Sequence, residues 1–133
     1  MYTASQLIKL NILQLHNELT LSNCLPDELL KLDNLTGDQI DDLYDTVDEL
    51  YDAENEIRIG DIETNISPKW SRYYETKSVA SCFNGQWVGW TYYYGGGKHG
   101  EPDAIEWIND AYLLNLDSEI QVIETKRMFS KVS

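Results

Sequence analysis

The chain of 133 residues is long enough for one domain with its own hydrophobic core, so it needs neither disulfides nor a metal ion to fold. Its hydrophobic content of 42% argues against wholesale disorder, and no apolar run approaches the ~18 residues that a membrane span needs. The net charge of −13, from 23 acidic and 10 basic residues, argues against direct binding to nucleic acid or to anionic membranes, and it favours attraction to basic surfaces.

The N-terminal residues 4–20 have the periodicity of an amphipathic helix, with Leu7, Ile8 and Ile12 on its buried face. No basic stretch precedes this segment, so we interpret it as part of the fold rather than a signal peptide, and we expect a cytoplasmic protein. Two cysteines, Cys24 and Cys82, are too few for a disulfide framework. They are expected to be reduced and buried, with a disulfide between them as the alternative.

Most of the negative charge is concentrated in one part of the chain. After a short predicted helix at residues 26–32, the pattern of a longer helix covers residues 38–57. Residues 27–63 contain 14 acidic and two basic residues, a net charge of −12, and residues 38–56 contain nine acidic residues and no basic one. The remainder of the chain is therefore close to neutral.

The spacing predicts that residues 38–57 form a single helix about 30 Å long. Thr36 and Gln39 form the T-x-x-Q pattern of a capping box, and Ile40, Leu43, Tyr44, Val47, Leu50 and Tyr51 recur at helical spacing. Glu54 is expected near this apolar stripe. The carboxylates on the opposite face are predicted to bind a partner: Asp38, Asp41, Asp42, Asp45, Asp48, Glu49, Asp52 and Glu56.

Three interpretations of this acidic face remain open. It is a solvated helix surface, or it imitates a row of phosphates and docks on a basic protein, or it chelates calcium. The calcium hypothesis is the weakest, because the D-x-D-x-D-G loop with its distal glutamate is absent from the sequence.

From about residue 58 the pattern becomes β-like. Extended segments are predicted at residues 58–66, 70–75, 77–83 and 86–94, with Asn84-Gly85 as a type I′ hairpin turn. A helix at residues 102–110, a strand at 112–116 and a final strand at 119–129 follow. The sequence therefore predicts a single α+β domain, in which a helical acidic part (1–57) packs with a β-rich aromatic part (58–133) whose mostly antiparallel sheet carries one further helix.

A glycine-rich loop lies between a predicted strand and the predicted helix at residues 102–110. Its glycines permit positive φ and let backbone N–H groups converge on an anion, which is the physical basis of a phosphate site. The loop is neither a Walker A motif nor G-x-G-x-x-G, and Glu101, Asp103 and Glu106 oppose a phosphate. The alternatives are a well-capped turn and an anion site with stacking tyrosines, formed by Tyr92, Tyr94, Gly95, Gly96, Gly97, Lys98, His99 and Gly100.

No specific catalytic motif appears, and no cofactor or metal centre is indicated. The two histidines, His16 and His99, are too few for a histidine-rich metal site. A nucleophile–base pair between Cys82 and His99 has no sequence motif to support it. Enzymatic activity is therefore the third hypothesis. It ranks after a protein that binds another protein through the acidic helix and after a module that binds a small ligand at the glycine loop.

The segment WTYYYGGGKHGEPDAIEWI, residues 90–108, resembles small uncharacterised proteins of bacteriophages and prophages. The resemblance extends over about residues 87–129 and implies a short accessory product of a mobile element, a group in which inhibitors of host defence nucleases are common. It supplies no catalytic residues.

The sequence thus favours a non-enzymatic interaction protein that uses its acidic helix as a nucleic-acid mimic against a basic host nuclease or other nucleic-acid-binding complex. The alternative is a nucleotide- or anion-binding module built on the glycine loop.

Overall fold

A computed structural model describes residues 2–20, 35–116, 127 and 129–132, without the side chains of residues 19, 20 and 99. Its elements, in chain order, are helices α1 (Ala4–Thr20), α2 (Gly37–Thr46) and α3 (Tyr51–Arg58), strands β1 (Ile62–Glu63), β2 (Glu75–Phe83) and β3 (Gln86–Tyr94), two 3₁₀ turns (Gly97–His99 and Pro102–Ala104) and strand β4 (Tyr112–Leu114). Helices precede an antiparallel sheet, which confirms the α+β class. The helix predicted at 26–32, Cys24 and most of the strand predicted at 119–129 lie outside the described residues.

Helix α1 is the centre of the helical layer and has the predicted bounds. Ile8, Ile12 and Leu13 are fully buried, and the helix contacts α2, α3 and the sheet. At its N-terminus the Thr3 hydroxyl accepts the Gln6 N–H at 3.2 Å, and the Gln6 side chain accepts the Thr3 N–H at 3.0 Å. This reciprocal pair satisfies donors that have no intrahelical partner.

The prediction of one continuous acidic helix is wrong. The Thr36–Gln39 capping box forms as expected, but α2 ends at Thr46, Val47 is extended, Glu49 has a φ of 65° and α3 begins at Tyr51. The Thr46 hydroxyl donates to the Asp42 carbonyl at 2.7 Å, a local bond that competes with helix continuation. Like charges at helical spacing also oppose a continuous helix.

The break changes which residues are buried. Leu50 and Ala53 lie in the core with Ile40, whereas Tyr51, predicted on the apolar stripe, is 63% exposed. The Tyr51 hydroxyl instead donates to the carboxylate of Asp103. The helical layer is therefore made of three helices among the described residues, and the acidic residues are divided between two of them.

The sheet has the order β1-β2-β3-β4, with every neighbouring pair antiparallel. The predicted hairpin is confirmed: Phe83 pairs with Gln86, and Asn84 and Gly85 have φ values of 51° and 82°, as a type I′ turn requires. Strand β3 has the predicted bounds. Residues 70–74, predicted as extended, form a loop in which Trp70 is 84% exposed.

One face of the sheet packs on the helices through Val79, Val88 and Trp90. The prediction of a helix at residues 102–110 is wrong. Only the 3₁₀ turn Pro102–Ala104 forms in this segment. The following residues are irregular because Trp107 and Ile108 enter the core, where the Trp107 ring lies 5.3 Å from that of Trp90. The further helix of the predicted architecture is thus a single turn.

Candidate functional site

The predicted partner-binding carboxylates lie on α2, on α3 and on the connection between them. Seven of the eight are exposed and form no ion pair within the described part of the chain. We call these seven the acidic surface: Asp38, Asp42, Asp45, Asp48, Glu49, Asp52 and Glu56. They lie on two helices that each dock on α1, and on the connection between these helices, rather than in a single row, because the chain turns at Val47–Leu50.

Asp41 has a different environment from the other predicted carboxylates. Its carboxylate accepts hydrogen bonds from the Lys9 ammonium at 3.0 Å and from the Gln6 side chain at 3.1 Å. Partial burial acts to raise the pKa of Asp41, but the hydrogen bonds from Gln6 and Lys9 and the Lys9 charge outweigh it and hold the pKa below its ordinary value. Asp41 therefore joins α2 to α1 and is not part of the acidic surface.

Glu54 also faces inward, near the apolar stripe as expected. Its carboxylate accepts the hydroxyl of Tyr44 at 3.1 Å, and the Lys9 ammonium lies 5.4 Å from the centre of the Tyr44 ring. Burial, together with the negative charge of Glu54, raises the pKa of Tyr44, so this hydroxyl remains a donor at all ordinary pH values. The polar network of Lys9, Asp41, Tyr44 and Glu54 holds the three helices together behind the acidic surface.

The exposed charges are stabilised indirectly. Within α2 and α3, carboxylates three or four residues apart repel one another, and no basic residue between Asp38 and Glu56 relieves this repulsion. The cost is offset by the burial of Ile40, Leu50 and Ala53 in the core. The molecule therefore holds a set of mutually repelling carboxylates in place by apolar packing on their opposite side.

The glycine loop is explained largely by its local packing. Gly95, Gly96 and Gly97 all have positive φ, and a Cβ on Gly96 would lie 2.6 Å from the ring of Tyr74. The side chain of Lys98 is exposed, and that of His99 lies outside the described part. Because only the three-residue turn Pro102–Ala104 follows, the helix N-terminus expected to support a bound anion does not form.

The two predicted ligand-stacking tyrosines are paired with each other. The rings of Tyr92 and Tyr94 stack at 5.5 Å between centroids, and the Lys77 ammonium lies 5.6 and 5.5 Å from them. The guanidinium of Arg58 lies 4.9 Å from the centre of the Tyr92 ring. We call Arg58, Lys77, Tyr92 and Tyr94 the cation–tyrosine cluster.

The sequence interpretation missed Arg58 and Lys77, although a signal for one of them was present. Once Asn84-Gly85 is accepted as a two-residue turn, the hairpin register places Lys77 directly opposite Tyr92. Arg58 could not be found in the same way, because it reaches the cluster from the end of α3.

The other face of the sheet has a groove of about 550 Å³ with a mixed polar and apolar lining, which includes Ile62, Thr64, Asn65, Trp87 and Leu114. Ala80 of β2 and Glu63 of β1 also line it. This groove was not predicted, because it depends on how the two edge strands are placed around the central hairpin.

The hypothesis of a Cys82–His99 catalytic pair is contradicted by the topology. Cys82 pairs with Trp87 beside the hairpin turn, whereas residue 99 follows the opposite end of β3. Seven residues of β-strand separate the two ends by about 23 Å. The Cys82 thiol is free and exposed, in contrast to the buried thiol that was expected.

No group of three or more His, Cys, Asp or Glu residues within the described ranges is arranged to hold a metal ion. In the same ranges, no helix has the length and hydrophobicity required to cross a bilayer. Comparison with protein-family models, with curated proteins and with solved structures finds no match to this chain.

Proposed function

We propose that this chain is a non-enzymatic interaction protein whose acidic surface binds a basic, nucleic-acid-binding surface of another protein. The observation that supports the proposal is the exposure of seven carboxylates on α2, α3 and their connection, none of them ion-paired within the described residues. A basic partner supplies the cations that the chain itself does not place there.

The charge density of the acidic surface suits such a partner. Helices of 10 and 8 residues are about 15 and 12 Å long. Five of the seven charges lie on these two short helices, and the other two lie on the connection between them. The negative charge is therefore concentrated in one short segment of the chain, as it is along a nucleic-acid strand. A protein surface that binds a phosphate backbone through lysine and arginine is therefore complementary to it in sign.

The way in which the carboxylates are held also supports binding. Capping at Thr36 and the network behind the surface fix α2 and α3 on α1, so the charged side chains project from an ordered backbone. Less conformational freedom is then lost on association, which improves affinity for a given set of contacts.

The identity of the partner follows from two considerations. A chain with a net charge of −13 is repelled by nucleic acid, so the partner is a protein. The resemblance of residues 90–108 to small phage proteins extends the proposal to a host nuclease or another nucleic-acid-binding complex, encountered in the host cytoplasm and inhibited by occupation of its nucleic-acid site.

The test uses the immobilised full chain and host lysate treated with nuclease. A captured protein should be released by duplex DNA and by raising the salt concentration from about 50 to 200 mM, because the contacts are electrostatic. Asp45→Asn, Asp48→Asn and Asp52→Asn in one variant should abolish capture.

A matched control removes three exposed carboxylates elsewhere, through Asp61→Asn, Glu63→Gln and Glu101→Gln, and should retain capture. Equal loss in the two variants would show that only net charge matters. Capture that resists both DNA and salt would contradict the proposal outright.

A further inference from the structure

The cation–tyrosine cluster lies at the end of the sheet where the helices no longer cover it. Lys77 and Tyr92 are opposite each other in the β2–β3 pair, and Glu75 and Tyr94 form the next pair on the same face. All four members of the cluster are half-buried, so they border on solvent. The site is thus accessible and is partly shielded from bulk water.

Arg58 is held firmly within this cluster. Its guanidinium Nη1 donates to the backbone carbonyl of Tyr93 at 2.9 Å, and its own carbonyl accepts the indole N–H of Trp90 at 2.8 Å. These two bonds attach both ends of the residue to β3. The guanidinium is therefore preorganised over the Tyr92 ring and does not need to be ordered by a ligand.

The two cations of the cluster form no ion pair with a carboxylate among the described residues. Lys9 and Lys69 form ion pairs with Asp41 and Asp110, but Arg58 and Lys77 form none with any carboxylate in the described part. In a protein with 23 acidic and 10 basic residues, two cations beside the same tyrosine ring without an ion pair are unexpected.

Arg58 also has unused donor capacity. Its Nε is buried and finds no hydrogen-bond acceptor within the residues that the structure describes. Because Nε has almost no contact with solvent, a ligand would meet the guanidinium through its Nη donors, of which one hydrogen bond, from Nη1 to the Tyr93 carbonyl, is already formed.

From this geometry we propose that Arg58 and Lys77, positioned by Tyr92 and Tyr94, bind a phosphate monoester group. Such a group carries close to two negative charges at neutral pH, which matches two cations, whereas a carboxylate carries one. This site is separate from the acidic surface, and it relocates the expected anion site from Lys98 in the glycine loop to the strands that precede it.

Nearby carboxylates limit the affinity. Glu75 lies on the same sheet face, and Asp103 is close to Arg58. More distant acidic residues are screened at physiological salt, where the Debye length is about 8 Å. We therefore expect weak binding of inorganic phosphate, with a dissociation constant of about 1 mM.

The experiment measures binding of inorganic phosphate to the full chain at constant ionic strength, by calorimetry and by the shift in unfolding temperature. Lys77→Gln should weaken binding by about tenfold or more, because a charge-assisted contact is lost. Lys77→Arg should retain binding. Lys98→Gln removes the same charge from the glycine loop and should change the affinity by less than about twofold.

Each outcome has a defined meaning. Tighter binding of nucleoside monophosphates than of phosphate identifies a nucleotide as the ligand, and equal binding identifies the phosphate group alone. No saturable binding at about ten times the expected dissociation constant overturns the proposal. It is equally overturned by equal binding of acetate, or by equal losses in Lys77→Gln and Lys98→Gln. Partner capture by the acidic surface is independent of all these results.

Discussion

Trp90 donates its indole N–H to the backbone carbonyl of Arg58 at 2.8 Å, and this bond joins the C-terminal end of α3 to the central strand of the sheet. Trp90 is fully buried, and its ring contacts Phe83 and Trp107. The same residue therefore fills the core between the two layers and satisfies a carbonyl at a helix end, where intrahelical partners are lacking.

Replacing Trp90 should show the value of this bond. Trp90→Phe removes the donor, leaves the Arg58 carbonyl unsatisfied and creates a cavity, so we expect a loss of about 2–4 kcal/mol. Trp107→Phe is the matched control, because the Trp107 indole N–H is buried without a hydrogen-bond partner in the described residues. Urea denaturation should show a loss smaller by about 1 kcal/mol or more for Trp107→Phe. Equal losses of stability in the two variants would mean that the Trp90–Arg58 hydrogen bond contributes nothing and that only the lost side-chain volume matters.

Two adjacent aspartates of α2 should respond in opposite ways. Asp41→Asn weakens the contacts with Lys9 and Gln6 and should cost about 1 kcal/mol, since this carboxylate is only partly exposed. Asp42→Asn removes an exposed charge that repels its helical neighbours, so stability should be unchanged or increased by a few tenths of a kcal/mol. Chemical denaturation at low salt measures the stability change in each variant. The difference between the two changes should become smaller at high salt, which screens the charges.

The Asp41 contacts should also be visible in the pH dependence of stability. The pKa of Asp41 is lowered from 3.8 by hydrogen bonds and by the Lys9 charge, which outweigh burial. The stabilisation is therefore fully present above the unfolded value and is lost as the pH falls through the lower folded value. The stability difference between the native chain and Asp41→Asn should shrink as the pH falls from about 5 to 2. If the stability difference stays constant over this pH range, the contacts of the ionised Asp41 carboxylate with Lys9 and Gln6 do not stabilise the fold.

The glycine loop should tolerate alanine at one position and not at its neighbour. Gly96→Ala combines a φ of 89° with a Cβ only 2.6 Å from the Tyr74 ring, so it should cost about 2–3 kcal/mol. Gly97→Ala has a φ of 48° and no atom within 4 Å of the added Cβ, so it should cost about 1 kcal/mol. Thermal unfolding of the two variants measures the difference. If Gly97→Ala also leaves phosphate binding unchanged, the loop glycines have a structural rather than a ligand-binding role.

Several elements of the fold follow from local sequence patterns. The apolar periodicity of residues 4–20 predicts α1 with its observed bounds, and Asn84-Gly85 between two β-prone runs predicts the hairpin and its register. The exposure of the carboxylates on α2 and α3, other than Asp41, is likewise a consequence of helical spacing, and Asp48 and Glu49 are exposed on the connection between the two helices.

Other features depend on residues that are distant in sequence. At Val47–Leu50, the burial of Leu50 and Ala53 competes with continuation of the helix. Residues 102–110 do not form a helix because Trp107 packs against Trp90 in the core. Asp41 differs from its acidic neighbours only because Lys9 of α1 lies opposite it.

The amino-acid sequence by itself thus determined the class of fold, the hairpin register and the location of the negative charge, because these depend on periodicity, turn residues and composition within short segments. Only the tertiary structure decided that the acidic segment is broken into two helices and a connection and that Arg58 and Lys77 both lie beside the Tyr92 ring. The physical reason is that core packing determines where helices end, and helix ends determine which charged side chains become neighbours.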